Sequence, residues 1–280
     1  MDREIPRKSK VSARLAWRRG HQIIPALSDL STKEVVFHID LDDLRSHNLA
    51  LPENEVHLWH ASLHSHSADK LESALTADEI ARAHRFHFEK DRNHFTVSRA
   101  LLRKLLSAYL RTDQVQISYG QKGKPFLTET EMPISFNLAH SGGRAIYAFA
   151  PGRELGVDIE QVREDAAVTE IASRFFSAQE IETLHALPKE QRKVAFFNCW
   201  TRKEAYIKAR GEGLSIPLDT FDVSLAPEEI PALLRHHVDE AETGKWEMRS
   251  VEVAPGYVGA IVVEGRGWTL KTFEIAPGIS

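Results

Sequence analysis

Cysteine is nearly absent, with Cys199 the single one in 280 residues. One thiol cannot build an internal disulfide framework, which fits a reducing compartment. No apolar run approaches the 18 residues or so that a membrane-spanning helix needs, so nothing here is expected to cross a membrane. The basic start of the chain lacks the apolar core of a secretory signal, and the expected address is the cytoplasm. A strongly basic balance is missing too: net charge is -4, which argues against wholesale nucleic-acid binding. What is present, 42% hydrophobic and 27% charged residues, is the composition of an ordinary soluble globular protein. The length suits one large domain or two modest ones.

Residues 1–20 carry seven Lys or Arg against Asp2 and Glu4, a local net charge of +5 (7 − 2). This stretch reads as a leader, and residues 1–50 as an N-terminal extension expected to be partly disordered. Folded structure is expected to begin before the strand-like run Val56-His57-Leu58-Trp59. Thr76-Ala77-Asp78-Glu79 matches a capping box, in which Thr caps the first amides and Glu reaches back three residues. It predicts a helix to about Lys90, with a second from Phe95 to Leu110. Strands over Ile134 to Leu138 and Ala145 to Ala150 flank Ser141-Gly142-Gly143, which reads as a hairpin turn.

A similar order then recurs. Leu155 to Ile159 reads as a strand, and Ser177-Ala178-Gln179-Glu180 as a second capping box. A short helix and a longer one from about Pro188 to Arg210 follow, the latter stopped by Gly211 and Gly213. Strands near Phe221 to Leu225, Trp246 to Val253, Tyr257 to Val263 and Trp268 to Phe273 close the chain. An offset of 101 (177 − 76) lays the second capping box on the first and Phe196 on Phe95. The expected architecture is therefore α+β, with two similar, pseudo-twofold-related halves over residues 51–152 and 153–280. Each half is a small antiparallel sheet packed with helices, with the active site in the cleft between them.

Three segments carry candidate chemistry. In Gly156-Val157-Asp158-Ile159-Glu160, strand alternation sends Asp158 and Glu160 to one face, where two carboxylates repel unless a cation or water intervenes. In Trp200-Thr201-Arg202-Lys203-Glu204-Ala205-Tyr206-Ile207-Lys208, helical spacing puts Trp200, Glu204 and Lys208 on one face. Phe136-Asn137-Leu138-Ala139-His140-Ser141 ends a strand in a histidine that can face a ligand. Taken singly, each also suits a solvated face or a satisfied loop. His57, His60, His64 and His66 invite a zinc reading, but their spacing keeps to one face of neither a strand nor a helix. Cys199, beside Trp200, reads as a buried inert thiol.

Together and in this order, with Gly123-Lys124-Pro125-Phe126-Leu127 ahead of them and Arg174-Phe175-Phe176 between, these segments resemble the 4'-phosphopantetheinyl transferases of the surfactin-synthetase-activating type. The stretch from Arg82 to Arg103, with its basic residues and phenylalanines, also matches, and the resemblance covers roughly residues 55 to 225. It implies transfer of phosphopantetheine from coenzyme A to a serine of an apo carrier protein (acyl, polyketide or peptidyl), with release of adenosine 3',5'-bisphosphate. It implies a magnesium cofactor held by Asp158, Glu160 and Glu204. It gives Lys208 the task of binding the diphosphate or stabilising the departing bisphosphate, and places His140 and Lys124 at coenzyme A phosphates, with Arg82 and Arg99 facing the 3'-phosphate. Glu180 matches a residue proposed as the base in relatives, while its place in a capping box gives it a purely structural job; both readings stand at this point. One departure is visible: Ala139 stands where the family has a serine expected to contact a coenzyme A phosphate. No nucleic-acid or membrane partner is expected, and two fused halves make a monomer sufficient. The rival readings are a catalytically idle carrier- or nucleotide-binding module and a metal-dependent phosphohydrolase.

Overall fold

The computed structural model describes residues 35–278 apart from 48, 129, 131 and 165–167, so the basic stretch over 1–20 lies outside the described residues. β1 (Val36–Ile39) lies within the stretch read as an extension, and the first half follows with β2 (Glu55–Ser62) and the short helices α1 (Ala68–Leu71) and α2 (Ala77–Ala83). Then come the long helix α3 (Glu89–Leu110), β3 (Ile117–Tyr119), β4 (Pro125–Leu127), β5 (Ile134–Ser141) and β6 (Arg144–Pro151). In the second half, β7 (Leu155–Gln161), α4 (Val168–Phe175), α5 (Ala178–Ala186) and the long helix α6 (Lys189–Arg210) come first. β8 (Phe221–Val223), β9 (Leu233–His236), α7 (Glu242–Lys245), β10 (Trp246–Val251), β11 (Tyr257–Glu264) and β12 (Thr269–Ile275) complete it.

The helix expected to run to Lys90 stops at Ala83, and residues 84–88 turn before α3 begins. The break has a cause: Phe86 leaves the helix line to pack on Phe95, 5.4 Å between ring centroids. Both capping boxes form as reciprocal pairs, Thr76 with Glu79 and Ser177 with Glu180. The helices after them, α3 and α6, are each 22 residues long and begin 100 positions apart (189 − 89). That repeat of cap, short helix and long helix is the physical content of the two similar halves.

Strand alternation builds the layers. On β2 and β6, Trp59, Tyr147 and Phe149 pack toward α3 residues such as Leu101 and Leu105. Their neighbours Leu58, Ile146 and Ala148 point the other way, onto Val157, Ile159 and Ile261 of the second sheet. Beyond that sheet, Ala260 and Val262 meet Phe197 and Tyr206 of α6. The order through the molecule is helix, sheet, sheet, helix. The first sheet runs β1-β12-β2-β6-β5 and the second β10-β11-β7. The last strand, β12, enters the first sheet between β1 and β2 with parallel pairing, because Phe273 and Ile275 belong to that half's core.

Candidate active site

The site begins with a missing side chain. An ideal Cβ on Gly156 would lie 2.1 Å from the carbonyl oxygen of Ala205 and 2.3 Å from the amide nitrogen of Ala209. Only glycine lets α6 lie this close on β7. The approach brings Glu204 and Lys208, one helical turn apart, beside Asp158, two residues along the strand. Lys208 Nζ donates to Asp158 Oδ1 at 2.6 Å. Asp158 is 6% exposed, and its other oxygen, Oδ2, is buried without a hydrogen-bond partner. Burial pushes the Asp158 carboxyl up to about 7 against the pull of Lys208, and the nearby Glu160 and Glu204 charges add to the rise. Burial, and then Glu160, raise the Glu204 carboxyl as well. Three carboxylates therefore feel one another in one small volume.

β5 ties this strand to the first half. The buried Asn137 accepts through Oδ1 from the Val157 amide at 3.0 Å. Ser141 Oγ donates to Glu160 Oε2 at 2.7 Å and accepts from the Gln161 amide at 3.2 Å. Gly142 and Gly143 turn the hairpin at φ of 55° and 86°, a conformation that side chains resist. His140 ends up near Lys208; dehydration of its ring, then the Lys208 charge, hold its pKa below the usual imidazole value.

Behind α6, the buried Glu242 accepts from Tyr206 Oη at 2.9 Å, Arg210 Nη1 at 2.7 Å, Trp246 Nε1 at 2.9 Å and Lys245 Nζ at 2.6 Å. Lys208 lies between Tyr206 and Arg210 in sequence, so it projects from the opposite face. The last turns of α6 are held from both sides.

In front of these groups is a cleft of about 380 Å³. Of the residues expected at the site, Arg82, Arg99, His140, Asp158 and Lys208 line it together, with Ala139 beside them. Residue-by-residue reasoning missed Phe86, Phe95 and Tyr119, which also line it. The Arg82 guanidinium sits 5.4 Å from the Phe95 ring centre and that of Arg99 5.5 Å from the Tyr119 ring centre. The mixture of basic and phenylalanine residues from Arg82 to Arg103 was the available signal for the first two; Tyr119 had none beyond its nearness to Gly123-Lys124-Pro125.

Glu160 and Glu204 stand beside Asp158 without lining the cleft, and two further expected residues lie elsewhere. Lys124 Nζ binds Glu154 Oε2 at 2.6 Å and the Ala209 carbonyl at 2.8 Å, and it lines a neighbouring cavity. Glu180 is 2% exposed and does not line the cleft. Its carboxylate accepts from the Ser177 amide at 2.9 Å and the Val223 amide at 2.8 Å, and pairs with the fully buried Lys203 at 2.8 Å. Of the two readings of Glu180, this geometry favours the structural one. Cys199 is buried beside it, with its thiol pKa pushed up by burial and then by Glu180. The histidines of the zinc reading scatter: His57 binds Tyr109 Oη at 2.7 Å, His60 stands 3.9 Å from Glu274, and His64 packs on His94.

Among the described residues, no three His, Cys, Asp or Glu side chains form a ready metal cage, and Lys208 occupies one oxygen of Asp158. The donor set still suits a hard cation: a bare buried carboxylate oxygen, and two further carboxylates close enough to raise its pKa.

Known proteins similar to this chain point to one family. Residues 154–262 match the family model described as 4'-phosphopantetheinyl transferase superfamily, and residues 57–151 the one described as 4'-phosphopantetheinyl transferase, N-terminal. The chain is 37% identical over 230 residues to the 4'-phosphopantetheinyl transferase HetI of Nostoc sp., covering 80% of this chain and 94% of that protein. It is 29% identical over 195 residues to the 4'-phosphopantetheinyl transferase Sfp of Bacillus subtilis, covering 69% and 84% respectively. Among solved structures, the Thermotoga maritima holo-[acyl-carrier-protein] synthase aligns at 21% identity with a TM-score of 0.31, over 40% of this chain and 62% of that one.

Proposed function

The chain belongs to the 4'-phosphopantetheinyl transferase superfamily, an enzyme class that places phosphopantetheine on carrier proteins, and from that premise we propose that it takes the group from coenzyme A with the help of magnesium. The acceptor is a serine of an apo acyl, polyketide or peptidyl carrier protein, and adenosine 3',5'-bisphosphate is released. One observation carries this reading: a buried Asp158 with one oxygen on Lys208 and the other bare, flanked by two carboxylates on a cleft lined by two arginines and a histidine.

Division of labour follows from placement. The first half, residues 51–152, offers Arg82, Arg99 and His140 to the anionic groups of coenzyme A. In the second half, 153–280, Asp158, Glu160 and Glu204 would hold the magnesium. When bound, that ion offsets charge on the diphosphate during in-line attack at the β-phosphorus. Lys208, already at hydrogen-bond distance from Asp158, supplies an ammonium to the same diphosphate and to the departing bisphosphate. The serine proton needs an acceptor, and Glu180 is too enclosed to reach it. Both halves come from one chain, so we propose that a monomer suffices.

The test is intact-mass analysis of fatty-acid, polyketide and peptide carriers incubated with enzyme, coenzyme A and magnesium. At least one carrier should gain the mass of one phosphopantetheine, and its Ser→Ala form should not. If all stay apo while a known transferase modifies them, the proposal fails. Phosphopantetheine freed without any carrier would point to the phosphohydrolase reading instead.

A further inference from the structure

The two capping boxes share one device but use it differently. In each half the capping-box glutamate is buried, and its carboxylate also reaches a basic side chain on the long helix that follows. In the second half the partner is Lys203, which is wholly buried and also donates to the Leu218 and Phe221 carbonyls, both at 2.6 Å. Nothing in that arrangement faces the cleft. In the first half the partner is Arg99, which lines the cleft.

Glu79 Oε1 accepts from Arg99 Nε at 2.5 Å, and Oε2 accepts from Arg103 Nε and from the Thr76 amide, the latter at 3.0 Å. Arg99 Nη2 donates to Tyr119 Oη at the cleft wall. The guanidinium is thus gripped at Nε and Nη2, while Nη1 has no hydrogen-bond partner among the described residues. Burial pushes the Glu79 carboxyl up, but Arg103, the Thr76 amide and Arg99 more than reverse this and keep it charged. A long arginine left to itself samples many rotamers, and ordering it on binding has an entropic cost. An arginine held by a buried carboxylate meets its ligand already oriented.

We propose that Glu79 is a positioning residue for phosphomonoester recognition, fixing Arg99 so that its free edge meets the 3'-phosphate of the donor. The inference rests on the proposed function, specifically on Arg99 facing that phosphate. It assigns Glu79 a task that its counterpart Glu180 does not have.

The experiment compares calorimetric affinities for adenosine 3',5'-bisphosphate and for adenosine 5'-monophosphate, whose ratio isolates the 3'-phosphate contact. Wild type should prefer the bisphosphate. Glu79→Gln keeps the side-chain size and a capping oxygen, and should shrink that preference by about tenfold, the loss of one well-placed charge-assisted contact. Thr76→Ala breaks the same cap without touching Arg99, and should lower the melting temperature while keeping the preference. Should Glu79→Gln not fold, Glu79→Asp retains the charge, withdraws it from Arg99 and should also shrink the preference. A mutant that melts lower yet keeps the wild-type preference would overturn the inference and make Glu79 only a cap. If wild type itself shows no preference for the bisphosphate, the assignment of Arg99 fails and takes the inference with it.

Discussion

Glu180 shows how one side chain can satisfy two readings in sequence and only one in space. Its carboxylate is enclosed by two backbone amides and the Lys203 ammonium. Substituting Glu180→Gln removes the counter-charge of a fully buried lysine, a change that typically costs about 3–5 kcal/mol. We expect a clear drop in melting temperature, with kcat of the folded enzyme near that of wild type. A fall in kcat of roughly 10²–10⁴ at unchanged stability would instead return Glu180 to the role of base. Ala139 makes a separate residue-scale case, since it lies in the cleft wall where a hydroxyl could add a donor for phosphate. Ala139→Ser should lower the KM for coenzyme A with kcat little changed; an unchanged KM would mean that the neighbouring cations already suffice.

Among the elements, the contact of α6 with β7 decides the geometry of the site. Gly156→Ala would set a methyl group inside the van der Waals shell of Ala205 and Ala209, so helix or strand must move. Overpacking of this kind costs about 1–3 kcal/mol or more. A displacement near 1 Å at Lys208 and Glu204 is expected to cost about 10²-fold in kcat/KM. Retained activity with the folded structure intact would show that the close approach is not needed. The other side of α6 gives a pH prediction. Burial alone would raise the Glu242 carboxyl, but donation from Lys245, Trp246 and Tyr206 together with the Arg210 charge holds it at about 2. A depressed carboxyl stabilises the fold fully above its unfolded value of 4.5, and that stability is lost as pH falls through about 2. Denaturation should therefore find Glu242→Gln less stable than wild type at pH 7, with the difference closing between pH 4.5 and 2; a constant difference would contradict it.

Much of this was readable from the residues because it depends on local chemistry. The capping boxes, the glycine turn after Ser141 and the strand alternation of Asp158 and Glu160 follow from neighbours in sequence. The break after Ala83 did not, because it answers to packing of Phe86 on Phe95. Short β1 and β9 lack a periodic run long enough to announce them, and the partner of β1, the last strand of the chain, is remote in sequence. Lys124 was placed by motif, yet its ammonium is taken by Glu154 and a helix-end carbonyl, contacts that only tertiary structure creates.

Across the whole molecule, two copies of one helical device cover opposite sides of a stacked pair of sheets, and the cleft opens where β5 meets β7. The halves share the order of cap, short helix and long helix, and they differ in the chemistry they bring to the cleft. The first half brings two arginines and a histidine to the cleft, and the second brings Asp158 with its Lys208 partner. The crossing of β12 into the first sheet joins the end of the chain to the first half. The most direct test of this account is the rate of phosphopantetheine transfer by Asp158→Ala, measured against wild type over a magnesium titration with folding checked independently. Asp158 pairs with Lys208 through one oxygen and presents the other bare and buried. The account predicts that transfer is abolished at every magnesium concentration while the melting temperature holds. An Asp158→Ala enzyme with near-normal, magnesium-dependent turnover would contradict it and leave the carboxylates of β7 as no more than a polar face.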